Sequence, residues 1–237
     1  MIIHYKEEIA MKSEKHHALR EAETKATQLF KTVEDRGYIS AGKTETDLNT
    51  QVYETAFELF GIKKYWHKRI VRAGKNTLLP YRENPPNLKI KDNDILFFDF
   101  GPVFEDMEAD FGRTYVLGDD EKKLKLKNDI ESAWYLGKMW FDVHPNCTGK
   151  ELFTYVSGLA ADFGWKYGQE HCGHLIGNFP HEKIQGEEVL NYIHPDNRLK
   201  MSDPDKNGLS RDWILEVHFI DEKLEIGGFF EQLLTVD

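Results

Sequence analysis

Cysteine is scarce in this chain of 237 residues: Cys147 and Cys172 are the only two, which is too few for a disulfide-stabilised scaffold. Long apolar runs are missing as well. No stretch approaches the roughly 18 apolar residues of a membrane span, and the opening MIIHYKEEIAMK lacks the apolar core of a signal peptide. We therefore expect a cytoplasmic protein without a membrane partner.

Excess positive charge is the third absence. Lysine and arginine total 31 against 41 aspartates and glutamates, which gives a net charge of −10. This balance argues against a phosphate-binding surface and therefore against a nucleic-acid partner. The hydrophobic fraction of 40% and the charged fraction of 30% are typical of a globular protein, and the length fits one domain or two fused halves.

Two helices are predicted in the first half of the chain. Apolar residues recur every three or four positions over Leu19–Val33, which indicates an amphipathic helix that ends at Gly37. A second helix is predicted from Thr44, which forms a capping box with Asp47, to a C-cap at Gly61. After a short strand near Ile70, the run ILFFDFG predicts a buried strand, with antiparallel neighbours at 103–104 and 115–117.

The second half repeats this order. A long helix is predicted from about 121 to 143, followed by a helix with a Thr148–Glu151 capping box that ends at Gly164. The repeat favours an internal duplication with halves at roughly 1–118 and 119–237, although amphipathic helices also resemble each other without common origin. The polar segment 194–211 is predicted to be an exposed loop. The predicted class is α+β, with the site enclosed between the halves.

Isolated acids in apolar, strand-like segments are the main functional signal. Asp99 lies inside the predicted buried strand, and Asp110 follows eleven residues later. A buried unpaired carboxylate is costly, and two adjacent carboxylates repel unless a cation lies between them. A hairpin that turns near residues 105–106 would bring the two aspartates together. For Asp99 alone, the alternative is a salt bridge, with Arg113 as the candidate partner.

Three histidines within eleven residues form the second signal: His171, His174 and His181. Glycines near His174 allow close approach of the backbone to a ligand, and imidazole is the commonest nitrogen ligand of metals in proteins. Cys172 is either a thiol ligand or, as its size favours, a packed small apolar residue.

Glu216 and Glu231 complete the pattern, since each is a single acid at the centre of an apolar strand-like segment. Strand alternation places Glu216 on the same face as Ile214 and His218. Four carboxylates and one imidazole suit Mn²⁺, Fe²⁺, Co²⁺ or Zn²⁺, and five ligands suffice for two ions. The candidate metal ligands are Asp99, Asp110, His174, Glu216 and Glu231.

In order and spacing, these motifs resemble the metallopeptidase family of methionine aminopeptidase, aminopeptidase P, prolidase and creatinase (M24). Asp99 and Asp110 precede Arg113-Thr114, Gly173-His174 precedes His181-Glu182, and two glutamates follow. The resemblance implies the pita-bread fold over a single catalytic domain, 1–237. It also implies two divalent transition-metal ions (Mn, Co, Fe or Zn).

By position, the resemblance implies that Asp110 and Glu231 bridge both ions and that Asp99 chelates one of them. His174 and Glu216 would complete the other, with Glu216 as the catalytic proton shuttle. His181 would be catalytic and substrate-binding, through a hydrogen bond to the scissile carbonyl and its oxyanion.

The sequence departs from the family pattern at three positions. Tyr81 stands where the family usually has a substrate-contacting histidine, so Tyr81 is the substrate-binding candidate there; His67 could substitute only if the preceding loop folds back. Leu175 follows the metal histidine where methionine aminopeptidases usually have glycine. The usual Glu-Pro-Gly element reads Glu216, Val217, His218, which brings His218 near the site.

Three functions are compatible with these residues. The first is a dinuclear metal-dependent hydrolase that cleaves an N-terminal or Xaa-Pro peptide bond. The second is a family member repurposed for a small amide or guanidino compound, and the third is a non-enzymatic binding module. The expected partner is a peptide or small amide substrate, and the expected assembly is a monomer or a homodimer.

Overall fold

A computed structural model describes residues 2–79 and 81–236, with side chains described from residue 11 onward apart from that gap. The helices are α1 (Ile2–Asp35), α2 (Glu45–Phe60), α3 (Glu121–Val143) and α4 (Gly149–Phe163). The strands are β1 (Ile70–Ala73), β2 (Ile95–Phe100), β3 (Val103–Phe104), β4 (Met107–Glu108), β5 (Phe111–Val116), β6 (Lys166–Tyr167), β7 (Gly173–Ile176), β8 (Asp212–Asp221) and β9 (Ile226–Leu233).

The predicted helices are confirmed together with their caps. Thr44 and Asp47 form a reciprocal capping box, as do Thr148 and Glu151, because each threonine side chain accepts from the backbone N–H three residues on. The glycines at the two C-caps, Gly61 and Gly164, take left-handed backbone angles that glycine adopts without strain. The apolar stripe over Leu19–Val33 is buried, and α1 begins well before this stripe, at Ile2.

One antiparallel sheet organises the fold. Its order is β1-β2-β5-β9-β8-β6, and β7 pairs with β8 beside β6. The short pair β3–β4 forms the predicted hairpin, with its turn at residues 105–106. The prediction that residues 103–104 pair with β2 was wrong, because β3 and β4 form a separate two-stranded sheet and the neighbours of β2 are β1 and β5. Strands from the end of the chain thus lie directly beside strands from the middle, so acids far apart in sequence meet in space. Helices on an antiparallel sheet agree with the predicted α+β class.

Two large apolar clusters hold the helices on the sheet. One gathers the buried faces of α1 and α2 with Phe98 and Phe100, and the other gathers α3 and α4 with Leu215 and Phe230. Each cluster also takes residues from the other half, such as Ile214 in the first and Ile95 in the second. The proposed halves therefore share their packing across the sheet.

The segment 194–211 has no regular helix or strand, as predicted, but it is not exposed throughout. Asn197 is buried because its side chain donates to the carbonyls of Leu190 and Tyr192 and accepts from Leu199 N–H. Met201 is buried against the second apolar cluster. This loop therefore has internal anchors that its polar composition does not reveal. Within residues 2–79 and 81–236, no helix is long and apolar enough to cross a membrane.

Candidate metal centre

The strand register places three of the predicted acids in one row across the sheet. Asp99 on β2 lies opposite Gly112 on β5, Gly112 lies opposite Glu231 on β9, and Glu231 lies opposite Glu216 on β8. Gly112 supplies the room between them: a Cβ there would lie 2.5 Å from the Phe229 ring and 3.0 Å from the Glu231 Cβ. Like charges directly opposite each other on neighbouring strands are destabilising unless something compensates them.

Asp110 and His174 join this row. Asp110 directly precedes β5, and His174 lies on β7 opposite Ile214. His174 Nε2 is 3.0 Å from Asp110 Oδ2 and 3.7 Å from Glu231 Oε1. The five predicted metal ligands are all buried and line one cavity. Glu216 joins the others through its place opposite Glu231, since its carboxylate is not among the donor atoms that lie within 4.8 Å of one another.

His67, whose role the sequence left conditional on the preceding loop, lies in the same group. His67 Nε2 is 3.0 Å from Asp110 Oδ1 and 3.5 Å from Asp99 Oδ1, and its side chain is only 7% exposed. The loop after α2 does fold back, which was the condition for His67 to reach the site. The ring centroid of His67 is 5.6 Å from that of Tyr81, so the two residues lie side by side.

Burial and charge repulsion dominate the electrostatics of the centre. Burial raises the pKa of Asp99 to about 7; His67 opposes this rise, while Asp110 and Glu216 add to it. Burial and the charge of Asp110 also raise the pKa of Glu231 well above its usual value. Burial disfavours charge on Asp110 too, but the adjacent His67 and His174 outweigh it and hold the pKa of Asp110 well below its usual range.

A divalent cation fits this donor set. Glu231 Oε2 is buried and has no hydrogen-bond partner among the residues the structure describes, so a full negative charge there needs a counter-ion. The donor atoms form two groups, and within each group the atoms lie within 4.8 Å of one another. One group is His67, Asp99 and Asp110, and the other is Asp110, His174 and Glu231, so Asp110 belongs to both. Carboxylate and imidazole donors suit divalent transition metals.

The centre lines a cavity of about 900 Å³, a size suited to a small ligand. Two predicted substrate-binding residues, Tyr81 and His181, also line it. The hydroxyl of Tyr81 accepts from Lys68 N–H at 3.3 Å, and its side chain stays partly exposed. The Trp66 ring packs against the rings of His174 and His181, with centroid distances of 5.0 and 5.6 Å, and forms one wall.

His181 is held by Glu108, a residue that the sequence patterns did not single out. Glu108 Oε2 lies 2.7 Å from His181 Nδ1, and Glu108 Oε1 accepts from the His181 backbone N–H at 3.1 Å. Glu108 is almost fully buried and comes from the short strand β4. The signal available in the sequence was its position in the hairpin that also carries Asp110.

His171 and Gln169 are further site residues whose roles the sequence left open or missed. His171 Nδ1 is 2.8 Å from Glu216 Oε1, and Gln169 Nε2 donates to Glu216 Oε2 at 3.3 Å. Burial favours a higher pKa for Glu216, but the adjacent His171 and the charge of His174 together outweigh burial and leave this pKa below its usual value. Glu216 is thereby kept ionised.

Three residues considered from sequence have other roles in the structure. Arg113 donates to the carbonyls of Gly112 and Glu231 and lies between aromatic rings, so it is not the partner of Asp99. His218 Nε2 lies 2.8 Å from the Thr77 carbonyl, which ties the ring to the fold. Cys172 is fully buried in the second apolar cluster, as expected for a packed small residue.

Sheet, helices and acid-lined cavity together define a pita-bread protein with a candidate metal centre. The model of metallopeptidase family M24 matches residues 17–204, and the chain belongs to this family. The resemblance inferred from the motifs is thereby confirmed.

Curated relatives carry the name Xaa-Pro dipeptidase. That of Pyrococcus horikoshii is 26% identical over 154 residues, which cover 61% of this chain and 40% of that protein. That of Lactobacillus delbrueckii is 25% identical over 151 residues, which cover 63% of this chain and 38% of that protein. The chain thus spans about two fifths of the length of these relatives.

Solved structures confirm the pita-bread fold. A prolidase from Thermococcus sibiricus superimposes with a TM-score of 0.75 at 20% identity, over 95% of this chain and 57% of that chain. A methionine aminopeptidase from Rickettsia prowazekii superimposes with a TM-score of 0.69 at 14% identity, over 94% of both chains. At these identities, the similarity establishes the fold alone.

Proposed function

We propose that this chain is a metal-dependent peptidase that cleaves an N-terminal or Xaa-Pro peptide bond, with two divalent transition-metal ions as cofactors. The observation that carries the proposal is the gathering of four buried carboxylates and an imidazole in one cavity. Membership of family M24 and the similarity to proteins named Xaa-Pro dipeptidase support a peptide as the substrate. The five ligands also argue against a non-enzymatic binding module, because burying so many charged groups is costly and such a module gains nothing from it.

Asp110 and Glu231 would bridge the two ions, and Asp99 would bind one of them. His174 and Glu216 would bind the other. When bound, the ions would supply a water activated at neutral pH and positive charge opposite the substrate oxygen. The protein contributes a buried, preformed arrangement of ligands, in which the strand register fixes Asp99, Glu216 and Glu231 in one row.

Glu216 would act as the proton shuttle. The lowered pKa of Glu216 keeps its carboxylate ionised, so it can accept a proton from the attacking water. The same group can then donate that proton to the leaving amine. His171 and Gln169 hold the two carboxylate oxygens in place and so orient the shuttle.

His181 would bind the scissile carbonyl oxygen. With Nδ1 directed at Glu108, the Nε2 atom remains for the substrate. A ring that is protonated on both nitrogens can donate from Nε2 while the Glu108 carboxylate balances its charge. Such a donor stabilises the negative charge that develops on the oxygen during hydrolysis.

The Glu108→Gln variant should lower kcat/KM by about 10- to 100-fold while its metal content stays unchanged. In the wild type, one oxygen of Glu108 accepts from the His181 backbone N–H and the other faces His181 Nδ1. Glutamine replaces one of these oxygens by an NH₂ donor, so one of the two hydrogen bonds is lost and the ring loses its fixed orientation. Steady-state kinetics and metal analysis of the same preparation measure the two quantities. Glu105→Gln, in the exposed turn of the same hairpin, is the matched control; equal activity of the two variants would contradict the role of Glu108.

A substrate panel tests the proposed function. Protein loaded with Mn²⁺, Co²⁺ or Zn²⁺ is offered Xaa-Pro dipeptides, longer peptides with N-terminal Xaa-Pro or Met-Xaa, and guanidino or simple amide compounds. We expect cleavage of at least one Xaa-Pro substrate. Turnover of an amide or guanidino compound with no peptide cleaved would favour a repurposed enzyme, for which Tyr81 at the expected histidine position is the specific observation. No uptake of metal would contradict the proposal outright.

A further inference from the structure

His67 occupies the metal centre because its segment is paired with the backbone that follows β2. Trp66 N–H donates to the Gly101 carbonyl at 3.0 Å, and Val103 N–H donates to the Lys64 carbonyl at 3.0 Å. Gly101 leaves the space this pairing needs, since a Cβ there would lie 2.3 Å from Trp66 Nε1 and from the His67 ring. The fold therefore fixes the position of His67, because its segment pairs with Gly101, which lies two residues after Asp99.

Hydrogen bonding fixes which ring nitrogen of His67 faces the acids. Nδ1 lies 2.8 Å from the Lys68 carbonyl and must donate to it, since a carbonyl oxygen only accepts. Nε2 is then directed at Asp110 Oδ1 and Asp99 Oδ1, at 3.0 and 3.5 Å. A neutral imidazole would place a lone pair against two carboxylates, which requires a cation between them.

His174 shows the same geometry on the other side of Asp110. Its Nδ1 lies 2.9 Å from the Leu175 carbonyl, again that of the next residue, and its Nε2 is directed at Asp110 Oδ2 and Glu231 Oε1. Each imidazole thus faces a pair of carboxylates, and Asp110 gives one oxygen to each. Histidines that bind metals almost always donate their other N–H to a carbonyl or a carboxylate, as both rings do here.

We propose that His67 is a sixth protein ligand of the centre and binds the ion held by Asp99 and Asp110. This inference rests on the proposed function, because it assumes that the centre binds two ions. Each ion would then have one imidazole, on opposite sides of Asp110. A nitrogen donor favours Co²⁺ and Zn²⁺ over Mn²⁺ at this position, so His67 also sets metal preference.

Metal titration of the full chain tests the role of His67. Metal-free wild type, His67→Ala and His67→Gln are titrated with Zn²⁺ and with Mn²⁺ by calorimetry, and His17→Ala, which removes an exposed histidine of α1, is the control. We expect two ions in the wild type and the control. Both His67 variants should bind one ion with unchanged affinity and the other at least about tenfold more weakly, with a larger loss for Zn²⁺ than for Mn²⁺.

Nitrogen NMR of protein with ¹⁵N-labelled histidine provides a readout independent of activity. Two Nε2 resonances should shift on addition of Zn²⁺ to the wild type, and one in either His67 variant. Two ions bound with wild-type affinity by both His67 variants would overturn the proposal. One ion in the wild type and two in His67→Ala would also overturn it, because His67 would then act as a fixed cation in place of an ion. No ion bound by any of the proteins would instead refute the proposed metal-dependent function itself.

Discussion

The Asp110→Asn variant is expected to lose the binding of divalent ions and, with it, at least about a hundredfold of peptidase activity. Among the described residues, Asp110 is the one that belongs to both groups of donor atoms. Its Oδ1 faces His67 and its Oδ2 faces His174, so one carboxylate connects the two sides of the centre. Asparagine keeps the shape of the side chain but removes the charge and one acceptor oxygen, which leaves Glu231 as the one remaining candidate bridge.

Metal analysis, calorimetric titration and the kinetic assay of the same preparation measure this loss. Asp106→Asn is the matched control, since Asp106 lies in the exposed turn of the same hairpin and away from the centre. The control should bind metal and turn over substrate as the wild type does. Full metal content in Asp110→Asn would contradict the bridging role, whereas retained activity without metal would contradict metal-dependent hydrolysis.

Local patterns account for the parts of the fold that were predicted from sequence. A capping box such as Thr44 with Asp47 involves residues three positions apart, so its signature survives in any tertiary context. The meeting of Asp99 and Asp110 is also local, because a tight hairpin leaves little freedom in register. The helix and hairpin predictions depended on such short-range constraints.

Contacts between distant segments account for what the sequence left open, as for His67, or missed, as for Glu45. His67 lies in a loop without periodicity, and its place in the centre depends on the space left by Gly101. Glu45 belongs to the first turn of α2, where glutamates are usually exposed, yet it is buried and accepts from the backbone N–H groups of Ala73 and Leu88. Neither residue has a local signal that distinguishes it from an ordinary loop or helix residue.

The candidate site lies between these two cases. Glu216 and Glu231 were recognised because an acid in an apolar strand is costly, which is a statement about each residue alone. The register of four strands places Glu216 on β8 directly opposite Glu231 on β9 and aligns both with Asp99. A single residue carries no signal for this alignment. The residue that makes this row possible is Gly112, which looks like any other glycine in the sequence.

The Trp134→Ala variant should lower the free energy of unfolding by about 3–5 kcal/mol. Trp134 lies on α3 and is 2% exposed. Its Nε1 donates to the Leu215 carbonyl at 2.8 Å, and its ring packs against Phe230 with a centroid distance of 5.8 Å. Truncation would leave a cavity behind the strands that carry Glu216 and Glu231, so the variant should melt roughly 6–20 °C lower than the wild type.

Thermal and urea unfolding of the metal-free proteins measure this effect, with Met139→Ala as the control on the same helix. Met139 is 64% exposed, so its truncation should change the free energy of unfolding by no more than about 0.5 kcal/mol. Equal melting temperatures for the two variants would show that α3 does not support the sheet. Divalent ions that bind the folded state should raise the melting temperature of the wild type and of Trp134→Ala alike, but not that of Asp110→Asn. This contrast separates loss of packing behind the sheet from loss of the centre on its other face.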